Sequence, residues 1–291
     1  MTGNQKKIKL LVLGASGMLG NAVLRAFIQD GVYSVVGSAR SPSVLRLLPP
    51  EVRGQVICGV DVENTDSLMR LFVQVRPDVV INCIGLVKQL AEADDPLAAI
   101  SINALLPHRL ARLCDVAGAR LIHMSTDCVF AGTSGMYREQ DVSDAQDLYG
   151  RSKYLGEVDY PHAVTLRTSI IGHELGSSHG LVGWFLAQQG SVKGFTRAIF
   201  SGLPTIEIAR VIRDYVLPNA GLRGLYHVSA RPINKFQLLK LVAQAYGKAI
   251  TITPDDKLVL DRSLDSNRFR AVTGYEPPAW PELVRRMQEF A

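Results

Sequence analysis

The sequence predicts an α/β fold: a Rossmann-type, doubly wound parallel sheet followed by a smaller α/β C-terminal lobe. Short apolar runs alternate with helical patterns through the first half of the chain, as in sheets built from right-handed crossovers. A glycine-rich turn at residues 14–20 follows the first apolar run and precedes the first helical pattern. The alternation ends after Ser169, so we divide the chain into regions 1–168 and 169–291.

Each apolar run is short enough for a buried strand, and each helical segment repeats its apolar residues at a period near 3.6. The predicted strands are Lys9–Leu13, Tyr33–Gly37, Gln55–Val60, Asp78–Ile84, Arg120–Met124, Ala163–Thr168 and Gly224–Ser229. The predicted helices are Met18–Asp30, Thr65–Val75, Pro96–Ala117, Leu148–Val158, Gly180–Gln189, Pro204–Leu217, Asn234–Tyr246 and Glu282–Phe290. The second region should fold back on the first, because no linker separates them.

Composition is that of a globular enzyme, with 47% hydrophobic and 20% charged residues and a formal net charge of +5. The basic residues are scattered, which argues against nucleic acid as a partner. No apolar run is long enough for a signal sequence or a membrane span, so we expect no membrane partner and a cytoplasmic location. The four cysteines form no C-x-x-C pair, and no cluster has metal-ligand spacing, so we expect reduced thiols and no metal.

The glycine-rich turn has the spacing G-x-x-G-x-x-G between a predicted strand and a predicted helix. Glycines allow the backbone to turn tightly and approach a pyrophosphate, whose charge then lies at the helix N-terminus. The turn therefore predicts a dinucleotide site. Its candidate cofactor-binding residues are Gly14, Ser16, Gly17, Met18, Leu19 and Gly20.

The end of the second predicted strand favours NADP(H) over NAD(H), although NAD(H) stays open. Proteins that bind NAD usually place an acidic residue there to hold the ribose 2′-hydroxyl, whereas this chain has Ser38 and Arg40. Arg40 can bind a 2′-phosphate with two parallel hydrogen bonds; the alternative is an ordinary exposed arginine. Asp61, after the third strand, could accept a hydrogen bond from adenine or could serve as a helix cap or turn residue.

A phenol and an ammonium lie one helical turn apart, at Tyr149 and Lys153. We expect the charge of Lys153 to lower the pKa of Tyr149, which would let the phenol exchange a proton near neutral pH. Thr126 follows the fifth predicted strand, at the sheet edge where ligands bind in such folds. These residues predict hydride transfer at a carbonyl or an alcohol.

Three motifs together carry a resemblance to a known family. They are the glycine-rich turn, Ser125-Thr126-Asp127-x-Val129-Phe130, and Tyr149-Gly150-x-Ser152-Lys153-x-x-Gly156-Glu157. The chain resembles the extended short-chain dehydrogenase/reductases, and within them the dTDP-4-dehydrorhamnose reductase branch. The resemblance covers nearly the whole chain, and it implies an NADPH-dependent reductase of a nucleotide-linked 4-keto-6-deoxy sugar that acts in the synthesis of polysaccharide precursors.

The resemblance also implies roles for individual residues. Tyr149 would protonate the carbonyl oxygen, Lys153 would bind the nicotinamide ribose, and Thr126 would hold the carbonyl. Asn103 would support Lys153 from the long helix, unless it is an ordinary buried amide. Further cofactor contacts are expected at Val62, Cys83, Ile84 and Gly85, and substrate contacts at Lys88, Ser125, Asp127 and Arg262.

The resemblance leaves three alternatives to weigh. Dehydration is disfavoured, because the related 4,6-dehydratases need a glutamate where this chain has Cys128, and a thiol is a poor substitute for a carboxylic acid. A sugar-nucleotide epimerase would use the same Tyr/Lys pair with a cofactor that stays bound. A non-catalytic subunit, like the regulatory β subunit of methionine adenosyltransferase, is the third. A homodimer through helices Pro96–Ala117 and Leu148–Val158 is also compatible with the superfamily.

Overall fold

The computed structural model describes residues 7–86 and 94–291 of the chain. The strands are β1 (Lys9–Leu13), β2 (Ser34–Ala39), β3 (Val56–Cys58), β4 (Val79–Asn82), β5 (Arg120–Thr126), β6 (Ala163–Thr168), β7 (Ile170–Ile171), β8 (Ser191–Phe195), β9 (Ala198–Phe200), β10 (Leu203–Pro204), β11 (Gly224–His227), β12 (Ile233–Asn234), β13 (Thr251–Asp255) and β14 (Leu260–Asp261). The helices are α1 (Met18–Asp30), α2 (Pro50–Arg53), α3 (Thr65–Val75), α4 (Pro96–Ala99), α5 (Leu106–Ala117), α6 (Leu148–Leu155), α7 (Leu181–Ala187), α8 (Thr205–Val211), α9 (Lys235–Ala245), α10 (Asn267–Thr273) and α11 (Trp280–Glu289).

Within the described residues, seven strands form one parallel sheet in the order β11-β6-β5-β4-β1-β2-β3. The strand order reverses direction between β1 and β4, and a crevice opens there at the carboxyl ends of the strands. The prediction of a doubly wound Rossmann-type sheet is therefore confirmed. The reversal also explains why the segments after β1 and β4 become neighbours.

Helices cover both faces of the sheet, because the central strands are apolar on both sides. Leu10 and Val12 of β1 pack into a core shared with α1 and the C-terminal helices. Leu11 and Leu13 point to the opposite face and pack against apolar side chains of α3 and α5. The alternation of side chains along β1 thus joins two hydrophobic layers.

The long helix that the sequence predicted over Pro96–Ala117 is interrupted. Residues 100–105 form a π-helical turn between α4 and α5. Pro107 has no backbone N–H, and its ring crowds the carbonyl of the residue four positions earlier, which is Asn103. The π turn places the Asn103 amide between the loop after β4 and helix α6, as the hydrogen bonds described below show.

The C-terminal part adds small sheets and helices to the large sheet. Strand β11 comes from this part and pairs with β6, so the large sheet extends beyond the division at residue 168, which itself stays a prediction. Helix α8 packs against α1, and α11 packs against α8 and α9. The short strands of this part other than β11, namely β7, β8, β9, β10, β12, β13 and β14, and helix α10 were not expected from the sequence.

Two further expectations from the sequence were reduced thiols and the absence of a membrane span. All four cysteines are free thiols. In the described part of the chain, no helix has both the length and the apolar character needed to cross a bilayer.

Candidate active site

The glycine-rich turn joins β1 to α1 in a conformation that needs glycine at two positions. Gly14 has φ +85°, in the left-handed region that favours glycine. A Cβ atom at Gly20 would overlap the backbone carbonyl of Gly14, which means that helix and turn lie in direct contact. The N–H groups in the first turn of α1 have no partner within the helix, and no side chain of the described residues caps them. The turn is therefore built to receive an anion, as the predicted pyrophosphate site requires.

The predicted residues of this turn take up different positions. Ser16 and Gly17 are exposed and Met18 is half-buried, whereas the side chain of Leu19 is buried in the core. Leu19 can therefore contact a ligand only through its backbone. The N–H of Gly17, the residue just before α1, donates a hydrogen bond to the Gly14 carbonyl at 3.0 Å.

The residues predicted to select the cofactor lie at the end of β2. Ser38 is buried and Arg40 is exposed. Within residues 7–86 and 94–291, the Arg40 guanidinium forms no ion pair, which leaves its fork available for a phosphate. The Asp61 carboxylate accepts the N–H of Glu63 at 3.0 Å, so Asp61 forms a turn, and Val62 beside it is half-buried.

The loop after β4 runs alongside the glycine-rich turn. A Cβ atom at Gly14 would lie 3.0 Å from the Ile84 side chain and 3.3 Å from the Cys83 carbonyl carbon. At Gly85, a Cβ atom would lie 3.6 Å from the Lys153 ammonium. The three predicted cofactor contacts Cys83, Ile84 and Gly85 therefore connect the glycine-rich turn to the predicted catalytic lysine.

Asn103 holds this loop against helix α6. Its side-chain oxygen accepts the N–H of Leu86 at 2.9 Å, and its Nδ2 donates to the Ser152 hydroxyl at 3.2 Å. The Ser152 hydroxyl donates in turn to the carbonyl of Tyr149, at 3.0 Å. Asn103 is thus a support for the segment that carries Tyr149 and Lys153.

Lys153 is buried, with 5% of its surface exposed, and its ammonium donates to the Met124 carbonyl at 2.8 Å. Burial lowers the pKa of Lys153 to about 8, although nearby Glu157 and Cys83 act in the opposite direction. The ammonium thus lies at the carboxyl end of β5, beside the loop after β4. A lysine at this position can donate hydrogen bonds to hydroxyl groups of a ligand in the crevice.

The expected effect of Lys153 on Tyr149 is wrong for this structure. The pKa of Tyr149 is raised, mainly by burial. Spacing along a helix predicts proximity of charge, but it does not account for desolvation, which is the larger effect here. The phenol therefore keeps its proton throughout the neutral range and gives it up only to a strongly basic group, such as an alkoxide.

Thr126, the last residue of β5, lies close to the Tyr149 phenol. Its side chain lies close enough to Tyr149 to act against the rise in the pKa of the phenol. Its hydroxyl donates to Asp127 Oδ1 at 3.2 Å and accepts the N–H of Cys128 at 3.1 Å. Asp127 is buried, and burial raises the pKa of its carboxyl, while Arg262 acts in the opposite direction. Burial also raises the pKa of the Cys128 thiol to about 12, so Cys128 is a very weak acid.

Ser125 points away from this group. Its hydroxyl donates to Glu157 at 2.7 Å, and Glu157 pairs through both oxygens with Arg167, at 2.6 Å each. The proton of Ser125 is therefore directed into the protein, and its contact with substrate stays a prediction.

Arg167 continues this buried network to His227. Its guanidinium lies 3.2 Å from Nε2 of His227 and over the Phe130 ring. Burial, and next the charge of Arg167, lower the pKa of His227 to about 4. His227 is therefore neutral at pH 7, with Nε2 accepting from Arg167 and Nδ1 donating to the Tyr137 carbonyl at 3.0 Å. Sequence analysis did not identify this network.

Arg262 lies next to Cys128 and Phe130, which follow Thr126 in the chain. Its Nε donates to the Phe130 carbonyl at 2.7 Å, and its Nη1 lies 3.7 Å from the Cys128 sulfur.

Of the other predicted substrate contacts, Lys88 lies outside the described residues. In the parts of the chain that are described, no group of three or more potential ligands could hold a metal ion.

The titration of Lys153 gives a prediction for stability. The unfolded chain holds a lysine proton up to about pH 10.4, whereas folded Lys153 releases it near pH 8. Between these values the unfolded state binds more protons, so the stability contribution of Lys153 rises with pH, by about 1.4 kcal/mol per unit. Denaturant unfolding of wild type and Lys153→Met at pH 7 to 10.5 should show wild type gaining relative to the variant. A constant difference across this range would contradict the buried lysine's low pKa.

Comparisons with known proteins agree with this geometry. The chain is 32% identical over 231 residues to the probable low-salt glycan biosynthesis reductase Agl14 of Haloferax volcanii, covering 76% of this chain and 74% of that protein. It is 22% identical to a dTDP-4-dehydrorhamnose reductase of Aggregatibacter actinomycetemcomitans, covering 97% and 99%. The crystal structure of dTDP-4-dehydrorhamnose reductase from Bacillus anthracis in complex with NADP superposes with a TM-score of 0.80 at 21% identity, covering 98% of both chains.

The family match extends over almost the whole sequence. The sequence model described as the RmlD substrate binding domain matches residues 8–289. This match confirms the predicted dTDP-4-dehydrorhamnose reductase-like branch of the extended short-chain dehydrogenase/reductases, and with it an NAD(P)H-dependent oxidoreductase. The chain belongs to the RmlD substrate binding domain family.

Proposed function

We propose that this protein catalyses the NADPH-dependent reduction of a nucleotide-linked 4-keto-6-deoxy sugar, in the synthesis of deoxysugar or polysaccharide precursors. The observation that carries the proposal is the group formed by Thr126, Tyr149 and Lys153 beside the glycine-rich turn. The names of the relatives support a reductase of this kind, since they include a dTDP-4-dehydrorhamnose reductase and a glycan biosynthesis reductase.

The reaction adds a hydride to the carbonyl carbon and a proton to the carbonyl oxygen. Bound NADPH would supply the hydride. Tyr149 would donate the proton from its phenol, which its raised pKa keeps protonated at neutral pH. The Thr126 hydroxyl, which lies close to that phenol, would hold the carbonyl oxygen and orient it toward Tyr149.

The remaining residues of the site would position the two ligands. Lys153 would donate hydrogen bonds to the nicotinamide ribose from its place beside Gly85. The uncapped N-terminus of α1 would bind the pyrophosphate. The position of Arg262 next to Asp127 and Cys128 would let its guanidinium bind the diphosphate of the substrate.

The buried Cys128 thiol supports reduction over dehydration. A dehydratase needs a second acid at this position, and the pKa of Cys128 is raised to about 12. At neutral pH the thiol therefore stays uncharged and does not replace the carboxyl group that a dehydratase has at this position. A plain reductase needs no group there beyond Thr126, Tyr149 and Lys153.

The experiment that tests the proposal follows NADPH consumption with dTDP-, UDP- and GDP-4-keto-6-deoxy sugars, each made in situ by its dehydratase. We expect turnover with at least one nucleotide and none with its 4-hydroxy product under the same conditions. A chain that binds NADPH but consumes none with all three substrates would overturn the proposal. Tightly bound cofactor with substrate isomerisation and no net consumption would instead indicate an epimerase.

The preference for NADPH gives a further prediction. Replacing Arg40 with serine should raise the KM for NADPH roughly 10- to 100-fold, because a charge-assisted hydrogen bond contributes about 1.5–3 kcal/mol. The KM for NADH should change little, since NADH has no 2′-phosphate. The matched control is Arg46→Ser, at an exposed arginine of the neighbouring 3₁₀ turn. An equal effect on both cofactors would show that Arg40 does not contact the 2′-phosphate.

A further inference from the structure

Lys235 is a half-buried lysine at the start of helix α9, and nothing in the sequence singled it out. Its ammonium interacts electrostatically with Asp127 and Arg262. These are residues of the candidate active site, although Lys235 is more than one hundred positions from Asp127 in the sequence. The fold therefore brings a second cation to the group around Thr126.

The small sheet β12-β9-β14 produces this placement. Asn234 of β12 and Asp261 of β14 both pair with Ile199 of β9, on opposite edges of that strand. Lys235 directly follows the first of these residues and Arg262 directly follows the second. One three-stranded sheet thus fixes the backbones of both cations, which lie on two segments that are distant in sequence.

The charges in this group do not balance. Lys235 and Arg262 carry two positive charges, and Asp127 is the carboxylate that interacts with both. Burial raises the pKa of Asp127 and so reduces its tendency to carry a negative charge. Within the described residues, the Lys235 ammonium has no hydrogen-bond acceptor. A half-buried ammonium without an acceptor, beside a second cation, forms a site suited to an anionic group.

We propose that Lys235 binds the diphosphate of the nucleotide sugar together with Arg262, the two side chains holding it from opposite edges of the β12-β9-β14 sheet. The inference rests on the proposed function, because it assumes a substrate that carries a diphosphate. The two cations differ in kind: Arg262 is fixed by its bond to the Phe130 carbonyl, whereas Lys235 is a point charge on a flexible chain.

The test measures binding of dTDP, UDP and GDP to the full-length protein by calorimetry, with the dinucleotide site saturated with NADP⁺. Lys235→Met should weaken binding of the preferred diphosphate roughly 10- to 100-fold, and Lys235→Arg should restore most of it. Wild-type binding should also lose more affinity with added salt than that of Lys235→Met, because fewer charge contacts remain in the variant. The matched control is Lys240→Met, at an exposed lysine of the same helix.

Turnover gives a second measurement that a merely structural role would not reproduce. Lys235→Met should raise the KM for the sugar nucleotide while kcat and the affinity for NADPH stay within about threefold of wild type. Unchanged diphosphate affinity in folded Lys235→Met, or a loss in Lys235→Arg equal to that in Lys235→Met, would overturn the inference. If wild type binds none of the three diphosphates, both the inference and the nucleotide-sugar proposal fail. Turnover with normal KM in Lys235→Met would overturn the inference alone.

Discussion

Replacing Tyr149 with phenylalanine is expected to lower kcat roughly 10²- to 10⁴-fold, the usual contribution of a positioned general acid. The substitution removes one hydroxyl and keeps the ring, so packing around α6 should be preserved. The measurement is kcat for NADPH oxidation at saturating sugar nucleotide, with NADPH affinity determined separately by fluorescence. That affinity should stay close to the wild-type value, because the proposed role of the phenol is proton transfer.

The same helix provides the control for this variant. Tyr154 has 48% of its surface exposed, and no function is assigned to it. Tyr154→Phe should leave kcat within about twofold of wild type. If Tyr149→Phe keeps more than a tenth of the wild-type kcat, the proton must come from another group, and the account of the site is wrong.

The largest expected loss of stability follows from breaking the buried pair of Glu157 and Arg167. Their side chains are 10% and 2% exposed, and both carboxylate oxygens bind the guanidinium. Glu157→Leu leaves the Arg167 charge buried without its partner, which costs about 3–5 kcal/mol. Denaturant unfolding of the purified variant measures this loss as a reduced free energy of unfolding.

Two further variants test whether the loss comes from the buried charge. The double variant Glu157→Leu with Arg167→Met removes both charges and should recover part of the lost stability. Glu289→Gln removes a carboxylate from a pair whose side chains are more than half exposed, and it should cost less than about 1 kcal/mol. A cost for Glu157→Leu no larger than that of Glu289→Gln would contradict the account of the network.

The first half of the fold was predictable because its signals are local. Apolar runs of strand length and helices of regular period place β1, α1 and α3 at their observed bounds. The C-terminal strands β7, β10, β12 and β14 have two residues each. Their existence depends on pairing between distant segments, which leaves no periodic pattern in the sequence.

The difference between local signals and contacts between distant segments also applies to the site. The spacing of Tyr149 and Lys153 and the glycine-rich turn could be read directly, since each lies within one short segment. The raised pKa of Tyr149 could not be predicted from the sequence, because it depends on burial by the whole fold. Lys235 could not be placed either, because its approach to Asp127 depends on the pairing of β12 with β9. The one signal available for Ser125 was its motif, and the motif did not show that its hydroxyl donates to Glu157.

The most direct test of the central claim is to follow the hydride itself. The protein would be given NADPH that carries deuterium at the transferred position, together with the 4-keto-6-deoxy sugar nucleotide that supports turnover, and the product analysed by NMR. We predict one deuterium at C4 of the product hexose for each NADP⁺ formed, and a large loss of this transfer with Tyr149→Phe. Product without deuterium at C4, or deuterium at another carbon, would contradict the assignment of this site to reduction of a 4-keto sugar.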